Sequence, residues 1–405
     1  MKILGIETSC DETALSLLDA NEPSTGSDNN PEFKVLGTAL FSQIELHKEY
    51  GGVYPSLAKR EHAKNLIPLL EQMFAGFATK KPASEITEFT DEQIKTLEEI
   101  FSREPELLET FLKYIPTIQR PNIDIIAVTY GPGLEPALWV GINFARALSY
   151  IWQIPVVPTN HMEGHIVSVL KDNSDIIEFP MVSLLISGGH TELILIKNWG
   201  DYEIIGQTLD DAVGEAFDKV ARLMDLEYPG GPKISKLAED ARAENLPEKL
   251  LEENPELAEK IKLPRPMLNS GDYNFSFSGI KTAVLYLIQK LQASGEFDET
   301  IKKAIALEFE NAATEVLFKK TSRAVEEFKA KRLIIGGGVI ANKHIRDTFS
   351  KLETSGGSSP IKVSVPEFEL ATDNAVMIAM AGYFKSLRIT PEIFPEIRAE
   401  GNLKF

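Results

Sequence analysis

The alternation of apolar and polar positions predicts the same order of elements twice along the chain. Two segments, Lys2–Leu18 and Met181–Ile196, each begin as an apolar run, pass through small and polar residues, and continue as a second β-rich run. This pattern predicts a β-hairpin with a tight turn in each half. Further along each half, an apolar strand leads through a glycine turn, Gly131–Gly133 or Gly336–Gly338, into a helical segment. We therefore predict an α/β protein with two related lobes around a cleft that the glycine turns face.

The repeated order also sets the predicted domain boundaries. The predicted domains are an N-terminal lobe at 1–155, a C-terminal lobe at 156–390, and a tail at 391–405 that returns to the first lobe. Segments at about 80–118 and 238–262 are rich in Glu, Lys and Pro, and are predicted to be surface insertions without catalytic residues. In the first of them, Thr90 and Gln93 have the spacing of a capping box, which predicts a helix through Phe101.

Composition indicates an acidic protein of ordinary globular type. The chain has 405 residues, of which 43% are hydrophobic and 25% are charged. A formal net charge of -18 disfavours binding to a polyanion, because such binding depends on clustered Lys and Arg. A nucleic-acid substrate would therefore need a local basic face or a partner protein. We predict a cytoplasmic protein with no membrane segment. The chain has a single cysteine, its N-terminus is β-like and has no leader pattern, and it has no apolar run long enough to cross a bilayer.

The most specific local feature is a pair of histidines, His161 and His165, in the sequence HMEGH. On a helix they lie one turn apart on one face, so both imidazoles can bind one metal ion. The alternative is a pair of exposed histidines without a ligand. Because two histidines leave a site incomplete, Asp373 is a candidate third ligand, although Thr372 or Asp373 can also serve only to cap the following helix. Two histidines and a carboxylate with open positions suit Fe(II) or Zn(II).

Glycine turns after apolar strands predict an anion-binding site. In the Ser187-Gly188-Gly189 turn, missing side chains would let backbone N–H groups approach a phosphate closely. The Gly336–Gly338 turn would place backbone amides at a helix N-terminus, which also favours an anion. A single glycine turn of this kind more often only connects a strand to a helix. Together with the Gly131–Gly133 turn, however, the chain has three such turns after apolar strands, which favours a nucleotide-binding cleft.

Two groups of acidic residues accompany these turns. The group in the first hairpin turn comprises Glu7, Asp11 and Glu12. The second group comprises Asp211, Glu215 and Asp218, whose i, i+4, i+7 spacing would place them on one face of a helix. This face would belong to the site or, as the alternative, be an acidic helix face exposed to solvent. Cys10 is not predicted to be a nucleophile, since acidic neighbours raise the pKa of a thiol. The chain has no G-x-x-x-x-G-K-[ST] loop, so a P-loop ATPase is not supported.

A series of motifs resembles one enzyme family in both content and order. The motifs are GIETSCDET, GGVYPSLAKREH, YGPGLEPALWVG, NHMEGH, LISGGHTEL, DDAVGEAFDKVARLMDLEYPGGP, FSFSGIKT, IGGGVIAN and ATDNAVMIAMAG. Together they resemble the catalytic subunits of bacterial-type tRNA threonylcarbamoyladenosine synthesis, a family once labelled O-sialoglycoprotein endopeptidase. The resemblance covers nearly the whole chain outside the two insertions.

The resemblance implies a fold and an activity. The implied fold is the actin-like (ASKHA) fold, with two RNase-H-like lobes around a central cleft. The implied enzyme is an acyltransferase that moves the threonylcarbamoyl group from threonylcarbamoyl-AMP to N6 of the adenosine 3′ to the anticodon, in tRNAs that read codons beginning with A, and releases AMP. The acidic balance fits a family that handles tRNA with partners, here an inactive homologous subunit and a small P-loop ATPase.

The resemblance also implies site residues by motif position. The metal ligands would be His161, His165 and Asp373, with iron the usual metal and zinc possible. The substrate-binding residues would be Leu185, Ile186, Ser187, Gly188 and Gly189, with Asp218, Gly231 and Asn342 on the adenylate. Asp11 and Glu12 occupy a position where family members carry functionally important acids, and would accept the N6 proton or orient the substrate.

Two other functions stay open at the level of sequence. A metallopeptidase would use the histidine pair, but Glu163 is displaced by one position from the H-E-x-x-H pattern of zinc proteases. A non-catalytic actin-like protein would bind ATP whether or not the histidines were present.

Overall fold

The computed structural model describes residues 1–21, 31–77, 79–171, 177–355 and 361–405. The chain divides into two compact units. The first comprises Met1–Ile177 and Thr372–Phe405, and the second comprises Glu178–Ala371. In the described parts of both units, every helix is too short or too polar to cross a lipid bilayer.

Among the residues that the structure describes, the first unit begins with five strands and six α-helices. The strands are β1 (Lys2–Glu7), β2 (Glu12–Asn21), β3 (Glu32–Ser42), β4 (Ile125–Gly131) and β5 (Pro155–Asn160). The helices are α1 (Ile44–Lys48), α2 (Pro55–Phe74), α3 (Asp91–Ile100), α4 (Pro105–Tyr114), α5 (Glu135–Trp152) and α6 (His161–Val167).

These strands form a mixed sheet in the order β5-β4-β1-β2-β3. β1 and β2 pair antiparallel with Lys2 opposite Asp19, so the predicted hairpin at Lys2–Leu18 is confirmed. β3 pairs antiparallel with β2, whereas β4 and β5 continue the sheet parallel to β1. Helices α2 and α5 pack on this sheet, and residues such as Leu4, Ile6 and Phe144 are fully buried in the core.

The second unit repeats the plan with different connections. Its strands are β6 (Met181–Ile186), β7 (Thr191–Asn198), β8 (Asp201–Gln207), β9 (Arg332–Gly336) and β10 (Lys362–Ser364). Its helices are α7 (Val213–Leu223), α8 (Gly230–Ala243), α9 (Leu246–Glu253), α10 (Pro255–Ile261), α11 (Ser278–Ser294), α12 (Glu299–Glu327), α13 (Lys343–Phe349), α14 (Lys351–Ser355) and α15 (Phe368–Ala371).

The second sheet has the order β10-β9-β6-β7-β8. β6 and β7 pair antiparallel with Met181 opposite Ile196, which confirms the second predicted hairpin. β8 pairs antiparallel with β7, and β9 and β10 run parallel to β6. In its described part, each unit therefore has three antiparallel strands followed by two parallel ones, which is the RNase-H-like order. The predicted α/β class with two RNase-H-like lobes is confirmed.

The last part of the chain completes the first unit. Helix α16 (Ala375–Ser386) packs on β1, β2, β4 and β5, and strand β11 (Glu392–Ile393) pairs antiparallel with β5. Residues 156–177 and 372–390, which the sequence pattern assigned to the C-terminal lobe, thus lie in the first unit. The reason is that β5 extends the first sheet and the apolar α16 covers it. The tail at 391–405 also packs on this unit, where Glu400 N donates to Tyr130 O at 2.8 Å.

The first insertion differs from its prediction as a surface segment. Thr90 and Gln93 form the predicted capping box at the start of α3. However, Phe101 and Phe111 are almost fully buried in the core of the first unit. Helices α3 and α4 are amphipathic, so their many Glu and Lys residues face solvent while Leu and Phe pack inward. In the second insertion, Leu257 is likewise buried.

Candidate metal centre and nucleotide pocket

Helix α6 places the two histidines of HMEGH on one face. Asn160 caps the helix because its Oδ1 accepts from the backbone N–H of the second helical residue at 2.8 Å. His161 is 6% exposed and His165 is 0% exposed, so the alternative of two exposed histidines is wrong. Gly164 lets α16 come close, since a Cβ at this position would lie 3.1 Å from Met377 Cγ.

Asp373 lies just before α16 and faces both imidazoles. Asn374, rather than Thr372 or Asp373, caps α16 by accepting from a backbone N–H at 3.0 Å. Asp373 Oδ1 lies 3.4 Å from His161 Nε2 and 3.2 Å from His165 Nε2. One ligand atom from each of the three residues lies within 4.8 Å of the others. Residues far apart in sequence thus converge at a spacing that suits ligands of one metal ion, each about 2.1 Å from it.

The electrostatics of this group favour a cation. Burial tends to raise the pKa of the Asp373 carboxyl, but His161 and His165 hold that pKa well below its usual range. Burial tends to lower the pKa of the His161 imidazole, but Asp373 and Glu7 raise it well above its usual range. The His161 imidazole therefore lies between two carboxylates that favour its charged form, at a place where a metal ion can supply the positive charge instead.

The surroundings of the His165 ring indicate whether these residues fit a metal ion. Its ring is fully buried, and neither ring nitrogen has a hydrogen-bond partner among the described residues, although Nε2 is at ion-pair distance from Asp373. A buried polar atom without a partner costs free energy, so such an atom usually indicates a missing ligand. An ion bound by His161, His165 and Asp373 would satisfy Nε2. The site therefore fits a divalent metal ion.

Glu7, the last residue of β1, supports His161 from the side opposite Asp373. Its side chain is fully buried, and its Oε2 lies 3.0 Å from His161 Nδ1. The same oxygen accepts from Thr129 Oγ1 at 2.7 Å, and Ser9 Oγ lies 3.2 Å from His161 Nδ1. A carboxylate on the second nitrogen of a metal-binding histidine fixes its tautomer and orientation. From the sequence, Glu7 was grouped with Asp11 and Glu12 but its contact with His161 was not predicted, although a glutamate ending an apolar strand was a usable signal.

Replacing Glu7 with glutamine should weaken metal binding without removing a ligand. We expect the affinity for Zn²⁺ or Fe²⁺ to fall about 10- to 100-fold, as is typical when the carboxylate behind a ligating histidine is lost. Competition with a chromophoric chelator measures this affinity. Glu45→Gln is the matched control, because the Glu45 side chain is 79% exposed on α1. Equal affinities in Glu7→Gln and the wild type would contradict the assigned role.

Asp11 and Glu12 lie in the turn next to this group. Asp11 is 8% exposed, and Glu12 Oε1 accepts from Ser42 Oγ at 3.1 Å. Burial, with the charges of Asp11 and Asp373, raises the pKa of the Glu12 carboxyl well above its usual range. Burial and the same acids raise the pKa of the Cys10 thiol well above its usual range, which agrees with the prediction that Cys10 is no nucleophile.

Glu163 has a structural ion pair. Its carboxylate is 5% exposed and accepts from the Arg388 guanidinium at 2.8 Å. A peptidase would need a carboxylate that is free to take a proton from metal-bound water. The Arg388 pair therefore argues further against the metallopeptidase alternative.

A second candidate site is a cavity of about 610 Å³ within the second unit, a size typical of small-molecule pockets. The predicted substrate residues that line it are Gly188, Asp218, Gly231 and Asn342. Those absent from its lining are Leu185, Ile186, Ser187 and Gly189. Leu185 and Ile186 are fully buried in β6, so their side chains serve the core.

Asp218 and Asn342 hold the walls of this cavity. Asp218 Oδ1 accepts from the backbone N–H of Gly231 at 3.3 Å and from that of the preceding residue at 2.7 Å. Burial nevertheless raises the pKa of the Asp218 carboxyl. Asn342 donates to Ser235 Oγ at 2.7 Å and to Glu310 Oε1 at 2.6 Å, and its Oδ1 caps α13. Both side chains fix the start of a helix at the cavity wall.

The glycine turn after β9 leads into a short 3-10 turn, Gly338–Ala341, and α13 begins only at Lys343. The predicted helix therefore starts later than the sequence pattern indicated. Gly337 has a φ of 91°, and a Cβ there would lie 2.5 Å from Ile186 O. The turn can lie against the end of β6 only because this residue is glycine.

The acidic face predicted in the same unit differs from its prediction. α7 begins at Val213, so Asp211 precedes the helix instead of sharing its face. Lys219 Nζ lies 2.7 Å from Asp211 and 2.9 Å from Glu215, which neutralises this part of the group. Only Asp218 of the three lines the cavity.

Basic residues at the cavity were not found from sequence. Lys236, Arg242, Lys343 and His344 line it, and Arg242 pairs with the buried Glu310 at 2.6 Å. These residues lie on α8 and α13, which are distant in sequence and carry no phosphate-binding motif. The same lining holds the acids Asp218, Glu239, Glu310 and Asp347, and burial lowers the pKa of the His344 imidazole, so the positive charge here comes from Lys236, Arg242 and Lys343.

Comparison with known proteins gives a consistent result. The family model described as "TsaD: tRNA N6-adenosine threonylcarbamoyltransferase" matches residues 34–85 and 105–380. The protein of that name from Persephonella marina is 41% identical over 386 residues, which is 95% of this chain and 90% of the relative. The one from Burkholderia thailandensis is 40% identical over 391 residues, with 96% and 93% covered. Among solved structures, a ROK family glucokinase from Streptomyces griseus has a TM-score of 0.40 and 11% identity, with 94% of this chain and 98% of that chain covered.

The matched segments contain the histidine pair, Asp373 and the cavity residues described above. The first matched segment ends just before α3 and the second begins at α4, so the gap between them falls in the first insertion. Family match, identity over nearly the full length, and the predicted motif order agree: this chain belongs to the TsaD family of tRNA N6-adenosine threonylcarbamoyltransferases.

Proposed function

We propose that this protein transfers the threonylcarbamoyl group from threonylcarbamoyl-AMP to N6 of the adenosine 3′ to the anticodon in tRNAs that read codons beginning with A. The observation that carries the proposal is the convergence of His161, His165 and Asp373 on one point in a chain of this family. The product would be N6-threonylcarbamoyladenosine, and AMP would be released.

The metal ligands in this proposal are His161, His165 and Asp373. The preferred ion is Fe²⁺, with Zn²⁺ as the alternative, since two imidazoles and one carboxylate suit both. When bound, the ion would act as a Lewis acid on polar groups of the donor. Glu7 would keep the His161 ring in the orientation that turns Nε2 toward Asp373.

The chemistry needs no nucleophile from the protein. The donor is a mixed anhydride, so N6 of the adenosine attacks the carbamoyl carbon, the bond from that carbon to the phosphate oxygen breaks, and AMP leaves. Asp11 or Glu12 would accept the proton that N6 loses. Alternatively, these carboxylates would only orient the adenosine. The high pKa of the Cys10 thiol fits a route without a covalent enzyme intermediate.

We further propose that the adenylate part of the donor binds the cavity of the second unit. Gly188, Asp218, Gly231 and Asn342 would contact it, with the main chain of Leu185 to Gly189 forming the rest of the substrate site. Lys343 would supply positive charge for the phosphate, and Lys236 and Arg242 would add to it although each also pairs with an acid, Asp240 or Glu310.

The charge of the chain supports the participation of other subunits. A protein with a net charge of -18 repels a polyanion, so partners would help to hold tRNA. We propose an inactive homologous subunit and a small P-loop ATPase in this role. Because tRNA is the proposed substrate, we expect the protein to act in the cytoplasm.

The test supplies purified protein with threonylcarbamoyl-AMP and unmodified tRNA, with the partner subunits added. We expect N6-threonylcarbamoyladenosine in the digested tRNA by mass spectrometry, and its loss after treatment with a chelator. A reaction without product would contradict the proposal. Chelator-sensitive cleavage of a glycoprotein would instead support a peptidase, and ATP binding alone would support a non-catalytic protein.

A further inference from the structure

Two tyrosines near the start of α2 form an exposed stacked pair. The rings of Tyr50 and Tyr54 have centroids 5.5 Å apart and an interplanar angle of 16°. Tyr50 is 59% exposed and Tyr54 is 52% exposed. Large aromatic side chains are usually buried, so an ordered pair open to solvent indicates a contact surface. We call these two residues the tyrosine pair.

A chain of buried hydrogen bonds fixes the tyrosine pair relative to the acidic turn. The backbone N–H of Tyr54 donates to His47 Nδ1 at 3.3 Å, and His47 Nε2 donates to Gln43 Oε1 at 3.2 Å. His62 Nδ1 lies 2.7 Å from Thr13 Oγ1 and 3.3 Å from Gln43 Nε2, and His62 Nε2 donates to Cys10 O at 3.0 Å. The backbone at Tyr54 is therefore connected, through His47, Gln43 and His62, to the turn between β1 and β2.

These hydrogen bonds can all form with the donors and acceptors given above only if the imidazole rings of His47 and His62 are both neutral. Each ring accepts through Nδ1 and donates through Nε2, as the neutral tautomer does. Burial lowers the pKa of His62 to about 4, and burial also lowers the pKa of His47. Gln43 adds a second link, because its backbone N–H donates to Asp11 O at 2.9 Å.

The helix that follows the tyrosine pair is locally basic. The first ten residues of α2 contain Lys59, Arg60 and Lys64 against a single acid, Glu61. The Arg60 and Lys64 side chains are 65% and 66% exposed and lie 3.5 Å and 3.7 Å from the Glu61 carboxylate, whereas Lys59 pairs with the buried Glu104 at 3.1 Å. This stretch, which follows Tyr54 directly in the sequence, therefore carries a net positive charge in a chain with a net charge of -18.

Exposed rings beside cationic side chains fit a particular ligand. Unpaired RNA bases stack on aromatic side chains, while nearby Lys and Arg contact the phosphates. Protein interfaces, by contrast, are depleted in Lys at their centres. The geometry points to single-stranded RNA: we propose that Tyr50 and Tyr54 form a stacking platform for an unpaired base of the tRNA anticodon loop, held at a fixed distance from Asp11 and Glu12. This inference rests on the proposed function, which makes tRNA the substrate.

The test measures RNA binding without the donor, so that it does not depend on catalysis. The probe is an unmodified anticodon stem-loop RNA carrying a fluorophore, titrated at low salt with the full chain together with the proposed partner subunits. For Tyr50→Leu and Tyr54→Leu we expect binding about tenfold to a hundredfold weaker, which is the range for losing one stacked base. Tyr50→Phe and Tyr54→Phe keep the rings and should bind within about twofold of the wild type.

A matched control separates the platform from a general surface effect. Tyr286, on α11, is 66% exposed, and Tyr286→Leu should bind the probe as the wild type does. Unchanged thermal unfolding midpoints would show that the leucine variants are folded. The inference is overturned if the leucine variants bind the probe normally, if the wild type does not bind it, or if the variants lose only a protein partner.

The proposed function can fail separately from this inference. If the wild type binds the probe through the tyrosine pair but makes no threonylcarbamoyladenosine, the activity is wrong and the RNA site stands. If the wild type makes threonylcarbamoyladenosine, and the leucine variants bind the probe and react as the wild type does, the proposed role of the tyrosine pair is wrong and the proposed activity stands.

Discussion

Asp373→Ala should abolish threonylcarbamoyl transfer, with a loss of at least about a thousandfold. The substitution removes the carboxylate 3.4 Å from His161 Nε2 and 3.2 Å from His165 Nε2. Two imidazoles alone make a weak site, and a bound metal ion contributes several kcal/mol of stabilisation to such reactions. His161→Ala should give a loss of the same order, because it also leaves two ligands. Mass spectrometry of the digested tRNA measures the product.

Metal content provides a second measurement of the same variants. We expect purified Asp373→Ala and His161→Ala to retain little metal when analysed by inductively coupled plasma mass spectrometry. Asp201→Ala is a suitable control, because Asp201 is an exposed acid at the start of β8. Full activity together with full metal content in either ligand variant would remove the assignment of these residues.

Gly337→Val should lower the stability of the second unit strongly. A Cβ at this position meets Ile186 O at 2.5 Å, and the φ of 91° is strongly disfavoured for a β-branched residue. Backbone strain and overpacking of this kind together cost about 3 kcal/mol or more. The turn lies beside the cavity, so AMP binding should weaken too. Denaturant unfolding and calorimetric titration with AMP measure the two effects.

The neighbouring glycine provides the control for this substitution. Gly338 has no heavy atom within 4 Å of an added Cβ, and its φ lies outside the positive range. Gly338→Ala should therefore unfold near the wild-type midpoint. An unfolding midpoint of Gly337→Val equal to that of Gly338→Ala would show that the turn adapts without cost.

Local patterns were sufficient to predict the central strands. The apolar runs at Lys2–Leu18 and Met181–Ile196 form the predicted hairpins, because strands buried on both faces are apolar along their length. The domain boundary was not predictable in this way. α16 is apolar nearly all round, and nothing in such a helix indicates which of two sheets it covers.

The candidate site was only partly visible in the sequence. His161 and His165 are one helical turn apart, so periodicity alone placed them together. The proximity of Asp373 and of Glu7 depends on how α16 and β1 pack, which local patterns do not encode. The hydrogen-bond chain from Tyr54 to Cys10 was also not foreseen, since each link joins residues whose contact exists only in the folded unit.

The order in which the chain builds its first unit has a consequence for its synthesis. A ribosome that has reached Ala371 has already made both imidazoles of HMEGH, but neither Asp373 nor the helix that covers the first sheet. An unfinished nascent chain can therefore hold no ion in the arrangement seen here. A product truncated anywhere in the second unit would lack both the third ligand and the helix that covers the first sheet, so it could neither complete the metal site nor bury that apolar face.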